Sequence, residues 1–263
     1  MAKNTTENTQ AQPQAAAQQP KMDEKQMKEI MKKAQEVKKK AESFCEKTFI
    51  KKMKKELLGI AVLPPDKKGQ KEIKLFILID DKNVEPKQKA LFLKKKQDEA
   101  KKLCENKEFI SDVYLYSEIK QATFDDNKEI TTKITKSTPV YQKNNILNAF
   151  ILPEIHKDMV LEKFERYVVS YVGVGSILRG EGNPKSDIDV FIIIDDTDVK
   201  QMSRLELQDK IRNIVYSMSA QAQDATQIKI PLHIQTYLLT DFWDMLKESS
   251  SPVIYTFLRD GLP

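Results

Sequence analysis

The sequence predicts an α/β fold of the α+β kind, in which one unit, a mixed sheet with flanking helices, occurs twice in tandem and is degenerate the first time. Three observations predict it. The text "IKLFILIDD" of Ile73 to Asp81 returns as "IDVFIIIDD" in Ile188 to Asp196 at a constant offset, and "GIAVL" from Gly59 is answered by "GVGSI" from Gly173 with one residue fewer in the loop between. Each apolar run is followed by a helical segment and then an alternating strand: "EPKQKALFLKKKQDEAKKL" and "SDVYLY" in one case, "SRLELQDKIRNIVYSM" and "LHIQTYLL" in the other. Finally, four of the 7 glycines in 263 residues stand at Gly173, Gly175, Gly180 and Gly182, just ahead of Asp187 and Asp189.

Taken in order, the chain opens on a Gln/Ala/Asn/Thr/Pro tract, residues 1–20, too polar to support a core and read as a disordered tail. From Lys21 to about Leu58, Met27, Ile30, Met31 and Ala34 and then Phe44, Phe49 and Met53 fall at helical spacing, which predicts one broken helix or two consecutive ones with a solvated, Lys-rich face. Residues 21–150 thus hold the N-terminal helix and the degenerate repeat. Residues 151–263 hold the second repeat, with a strand over Val168 to Val174 and a helix entered through a capping box, Ser203 and Glu206. Asp195, Asp196 and Asp198 recur in part as Asp80 and Asp81 and read as strand-end and helix-entry residues. Phe242 and Trp243 read as core, and His156 as a packing or helix-surface residue.

Composition narrows the function classes. With 40% hydrophobic and 32% charged residues the chain can build soluble cores, and no stretch is long and apolar enough to span a bilayer or to act as a signal peptide, so a cytoplasmic location is expected. The +5 net charge is spread over 44 basic and 39 acidic residues and is no nucleic-acid signature by itself. Cys45 and Cys104 have no paired spacing of a zinc site or disulfide framework and read as reduced thiols in or near a core.

The chemistry sits in "VGVGSILRGEGNPKSDIDVFIII". Gly175 and Ser176 end a strand and are expected to open a short helix, where free N–H groups and the Ser176 hydroxyl can meet a phosphate. Asp187 and Asp189, two apart on the next strand, send hard carboxylates from one face, as Mg²⁺ on a triphosphate requires, while Arg179 and Lys185 add positive charge. In the first copy the text alignment puts Ala61 and Val62 at the Gly-Ser position, and Glu72 and Lys74 at the aspartates. A Lys where a metal ligand belongs removes the metal. The loop is not a Walker A sequence, and Leu178 at the third glycine position breaks the dinucleotide-binding pattern.

The stretch "GSILRGEGNPKSDIDVFI" resembles the signature of the DNA polymerase β-like nucleotidyltransferase superfamily, nearest to its minimal and archaeal members, and the resemblance extends weakly to Lys51–Leu115 through the repeat. It implies two tandem nucleotidyltransferase-like repeats and transfer of a nucleoside monophosphate from a nucleoside triphosphate, ATP foremost, with release of pyrophosphate. It implies that Gly175 and Ser176 hold the β/γ-phosphates, Asp187 and Asp189 the Mg²⁺ or Mn²⁺ ions, and that Ser186 and Arg179 support the loop. The acceptor, an RNA, a protein side chain or a small molecule, and the oligomeric state stay open. Two departures stand out. The third carboxylate of the family has His233 or Gln235 in its strand, so His233 is a candidate base, and the chain stops soon after "RDG", where relatives continue into helices that help bind the acceptor. Either the N-terminal repeat holds the acceptor or the chain is a fragment. The alternative reading is an inactive module that binds nucleotide or RNA.

Overall fold

The computed structural model describes residues 24–66, 70–105, 107–199, 201–247 and 252–263; the tail expected over 1–20 lies outside them. The chain divides after Glu36, and the described part of the first unit is helical. The rest concerns the unit from Val37 to Pro263.

Two consecutive helices, α1 (Glu24–Lys47) and α2 (Phe49–Met53), meet at Thr48, whose hydroxyl bonds back to the Phe44 carbonyl at 2.6 Å. The first half then runs β1 (Leu57–Val62), β2 (Ile73–Ile79), a 3₁₀ turn at Pro86–Gln88, α3 (Lys89–Cys104), β3 (Phe109–Leu115), α4 (Tyr116–Phe124), α5 (Lys128–Thr135) and β4 (Thr138–Gln142). The second runs α6 (Ile146–Phe164), β5 (Val168–Val174), β6 (Ile188–Ile194), α7 (Arg204–Thr226), β7 (Leu232–Leu238), α8 (Leu239–Lys247) and α9 (Pro252–Asp260). The near-continuous apolar text of β2 and β6 is what a strand covered on both faces needs. Helix α7 starts at the expected cap, Ser203 Oγ accepting the Glu206 N–H at 3.3 Å. Among the described residues no helix is long and apolar enough to cross a membrane.

The result is a mixed α+β architecture with a four-stranded sheet, ordered β3-β2-β1-β4, and a three-stranded one, ordered β5-β6-β7. In both, the first pair is antiparallel and the next parallel. The details coincide further. Each first pair carries one irregularity, between Leu57 and Gly59 opposite Leu78–Ile79, and between Val168 and Ser170 opposite Ile193–Ile194. On its free side β1 pairs with β4, and β5 makes an antiparallel bridge from Gly173 to Leu262.

These registers correct the text alignment. Leu78 faces Gly59 and its counterpart Ile193 faces Ser170, so Gly59 occupies the place of Ser170 and not of Gly173. Carried along the strand, the residues at the positions of Gly175 and Ser176 are Pro64 and Pro65, not Ala61 and Val62. In β2, Lys74 lies one residue ahead of Leu75, the partner of Val62, as Asp189 in β6 lies one ahead of Val190, the partner of Gly173.

The recurring Asp-Asp pairs do one job twice. Asp81 accepts the N–H of Ser117 at 3.0 Å and its hydroxyl, and Asp196 accepts the N–H of Thr240 at 3.1 Å and its hydroxyl at 2.6 Å. Each carboxylate therefore ties the end of the second strand to the helix that follows the third, satisfying donors that a helix start leaves open. Asp80 and Asp195 instead accept the N–H two residues on, at 3.1 and 2.9 Å.

Helix α6 buries Ile146, Leu147, Ala149, Ile151, Leu152 and Val160, and one core joins it to Leu58, Phe76 and Leu78 of the first sheet and to Ile188, Val190, Ile192 and Ile194 of the second. Behind the first sheet, Leu75, Ile77 and Ile79 meet Ala41, Cys45, Phe49 and Met53. The front of the second sheet, Phe191 and Ile193, meets Phe242, Ile254 and Phe257. Phe242 is core as expected, but Trp243 is exposed on the other side of its short helix. His156 is a packing residue: fully enclosed, its Nε2–H donates to the Val215 carbonyl at 3.2 Å, and Nδ1 accepts from the Tyr171 hydroxyl at 2.9 Å. Burial lowers its pKa and keeps it neutral.

Burial would raise the Asp81 carboxyl, but hydrogen bonds from Lys89 and Ser117 outweigh it and hold its pKa below the ordinary 3.8. Asp81→Ala is expected to cost roughly 1–3 kcal/mol, because the Ser117 donors and the Lys89 ammonium lose their acceptor. With the folded pKa depressed, that contribution is present above about pH 4 and is lost as pH falls through and below it. Urea unfolding of the two proteins at pH 7 and at pH 3 checks both the size and the convergence.

Candidate active site

The site forms where β5 hands over to a loop beside the start of β6. Gly175 ends the strand with φ 142°, and a Cβ there would lie 3.1 Å from the Asp187 carbonyl oxygen, so only glycine lets the two backbones approach. The expected short helix is absent. Gly175–Gly180 is a run of turns, closed by Arg179 N–H on the Gly175 carbonyl at 3.2 Å and Gly180 N–H on the Ile177 carbonyl at 2.7 Å. The physical reason lies in the sequence that follows, where Gly180 in the left-handed region, Gly182 and Pro184 leave no continuous helical stretch. The phosphate-facing potential is therefore that of turn N–H groups, not of a helix dipole.

The far side of the loop is stitched by side chains. Ser176 Oγ donates to Ser186 Oγ at 3.1 Å, and Ser186 Oγ accepts the Asn183 N–H at 2.9 Å, while Asn183 Oδ1 accepts the Lys185 N–H at 2.8 Å. Ser176 and Ser186 are thus brought together. Arg179 sits at the flank, its Nε donating to Glu181 Oε2 at 3.2 Å.

Asp187 precedes β6 and Asp189 lies within it, opposite Val174 in the antiparallel register. Their alternation with buried Ile188 and Val190 sends both carboxylates from one face. In the parallel register Asp189 pairs with His233. His233 Nδ1 lies 3.2 Å from Asp187 Oδ2 and 3.8 Å from Asp189 Oδ1, with side chains 60%, 47% and 40% exposed respectively. The sequence left His233 open as a core histidine or a base, and the structure puts it on the open face beside the aspartates. Gln235, also on that face, accepts the Tyr237 hydroxyl at 2.6 Å. Burial first, and then the neighbouring Asp187 charge, raises the Asp189 carboxyl above its usual range, with His233 opposing. A raised carboxyl in a pair of like charges marks a place short of positive charge. Among the described residues, no three His, Cys, Asp or Glu side chains are grouped to hold a metal ion by themselves.

At the matching place in the first half stand Lys74 for Asp189, Ile110 for His233 and Pro64-Pro65 for Gly-Ser. Asp112, at the place of Gln235, accepts a hydroxyl from Tyr114 at 2.8 Å, as Gln235 does from Tyr237. Lys74 pairs with Asp66. A cavity of about 780 Å³ between α3 and β3 is lined by residues from Gln97 to Val113 and contains none of the site residues. The aspartates lie on an open face.

Residues 154–246 match the family described as "Nucleotidyltransferase domain". That segment is similar to nucleotidyltransferase domains. The matched segment runs from within α6 to α8 and encloses the turn, both aspartates and His233. The match is consistent with membership of the DNA polymerase β-like superfamily that the sequence resembles, and it attaches the domain to nucleotidyl transfer in general. No curated protein and no solved structure matches the chain.

Sequence reasoning missed two residues outside the matched segment that touch the loop, Tyr116 and Asn144. Only the paired Asn144-Asn145 ahead of an apolar helix hints at a special turn. Gly182 offers a direct check of how tightly the loop is built. A Cβ there would lie 2.6 Å from Ile177 Cγ1 and 2.8 Å from Ile177 Cα, so Gly182→Ala is expected to displace the loop and destabilise the protein by roughly 1–3 kcal/mol. Thermal unfolding, with NMR shifts confined to residues near 175–187, is the measurement.

Proposed function

We propose that the chain is a metal-dependent nucleotidyltransferase that moves a nucleoside monophosphate from a nucleoside triphosphate, ATP foremost, to an acceptor with release of pyrophosphate. What carries the reading is the meeting of Asp187 and Asp189 with the Gly175-Ser176 turn and the His233 imidazole on one face. The donor set fits Mg²⁺ or Mn²⁺, because Mg²⁺ is usually held by one or two carboxylates with substrate phosphates completing its shell. The raised Asp189 carboxyl is relieved by such a charge. When bound, the ion supplies neutralisation of the triphosphate charge.

The protein's own residues do the rest. Gly175 lets the triphosphate approach the backbone, and the turn N–H groups donate to its oxygens, joined by the Ser176 hydroxyl once it turns its proton from Ser186 to the phosphate. Arg179 adds positive charge at the loop flank. His233 Nδ1 lies 3.2 Å from Asp187 Oδ2, and with the ring proton on Nδ1 the Nε2 lone pair is free to take the acceptor's proton. The acceptor oxygen then bonds to the α-phosphorus as the bond to the bridging oxygen breaks, and pyrophosphate leaves. RNA, a protein side chain and a small molecule are all compatible acceptors.

We further propose that the two halves are copies of one unit, of which the first has lost its site. Lys74 places an ammonium where Asp189 would hold an ion. A second reading, an inactive module that binds nucleotide or RNA, is favoured by one observation: an imidazole, not a third carboxylate, stands next to Asp189.

The test separates binding from turnover. Calorimetry with ATP and Mg²⁺ or Mn²⁺ should show metal-dependent binding, and Asp187→Asn should weaken it at least tenfold. Incubation with α-labelled nucleoside triphosphates and cell extract should label an acceptor, with labelling falling at least a hundredfold in Asp187→Asn and in His233→Ala. Binding without labelling selects the inactive module. Labelling that ignores both aspartates ends the assignment.

A further inference from the structure

The loop from Gly175 to Ser186 is gripped from outside the matched domain. Its two apolar residues, Ile177 and Leu178, are buried in the same core as Leu58, Phe76 and Tyr116 of the first half. Tyr116, the first residue of α4, donates its hydroxyl hydrogen to the Leu178 carbonyl. Asn144, held at φ 52° between β4 and α6, donates from Nδ2 to the Gly182 carbonyl at 2.5 Å. Lys82 Nζ lies 3.7 Å from Glu181 Oε1. These residues lie ahead of residue 154, where the family match begins.

We propose that the first half works as a clamp on the phosphate-binding loop of the second, with Tyr116 and Asn144 as its positioning residues. The proposal rests on the nucleotidyltransferase reading for what the loop binds, but the clamp itself is a property of the free protein. The loop is a set of turns with no helix to stiffen it, so its shape depends on what fixes its carbonyls from outside. Two carbonyls four residues apart, Leu178 and Gly182, are fixed by donors from two different elements. Between them Gly180 has its left-handed turn against the Lys82 side chain, 3.2 Å from where a Cβ would stand. Burial, followed by the charges of Asp80 and Glu181, raises the Tyr116 phenol, so it stays a donor throughout the working pH range. A loop fixed before the triphosphate arrives does not have to be ordered by it, and ligand affinity gains by that difference. A half that has lost its own site thereby keeps a part in the reaction.

Two variants isolate the clamp from general stability. Asn144→Gly removes the amide at a backbone angle that suits glycine, so the turn survives. Tyr116→Phe removes one hydroxyl and keeps the buried ring. Hydrogen exchange of the amides over 175–186 in the free protein is expected to rise about tenfold in each variant, with exchange in β6 and α7 unchanged. The KM for ATP, or its dissociation constant, should rise about three- to tenfold with kcat less affected. Unchanged loop exchange in both variants overturns the clamp, as does faster exchange spread equally over β6 and α7, or a loosened loop with unaltered nucleotide affinity. If the loop loosens as expected but the wild type binds no nucleotide, the clamp stands and the nucleotidyltransferase reading falls.

Discussion

Helix α6 is the constraint on which the arrangement of both halves depends. The first two turns of α6, Ile146 to Pro153, are apolar apart from Asn148 and cannot face water, so they have to be enclosed, and here the enclosure is shared between the two sheets. Burial of side chains such as Ile146, Leu147, Ile151, Leu152 and Val160 contributes roughly 1.5–3 kcal/mol each. That sum is comparable with the whole stability of a domain, about 5–15 kcal/mol. The halves are therefore joined by an interior and not merely by a linker, and the loop of the second half is brought against α4 and the β4–α6 turn of the first.

Carboxylates show how surroundings divide labour within this frame. Asp81 and Asp196 are buried, and each uses both oxygens on a helix start, which gives them structural work away from solvent. Asp187 and Asp189, at the start of β6, opposite the end that Asp196 follows, have only an imidazole edge and each other. The same side chain, a few residues along one strand, is in one place a fastener and in the other an unsatisfied charge. That contrast, more than the Asp-x-Asp text itself, distinguishes a site from a solvated strand end.

How much of this was legible follows from how local each feature is. The strands and their order of types came from apolar runs and alternation, and the reading of β2 against β6 from six identical residues in nine. The β1–β5 correspondence came out three residues wrong, because matching Gly59 to Gly173 ignores that register is set by the partner strand and its irregularity. A helix after Ser176 was a fair reading of "SILR", but the glycines that follow impose turns. Trp243 was misplaced because a short amphipathic helix has two aromatic neighbours and only one inner face. The contacts of Tyr116 and Asn144 had no readable signal beyond the Asn144-Asn145 hint of a turn: their loop partners lie 62 and 38 residues away, and nothing periodic connects them.

The two cysteines carry a practical consequence. Both are free and enclosed, and burial together with the nearby Cys104 pushes the Cys45 thiol up to about 12, while burial raises Cys104 as well. Thiolate, not thiol, is the species that alkylating reagents capture. The folded chain thus offers a quiet background against which a single cysteine introduced on an exposed loop position such as Lys185 would be the one site to take a fluorophore or spin label. Loop motion becomes observable in solution without first removing any native side chain.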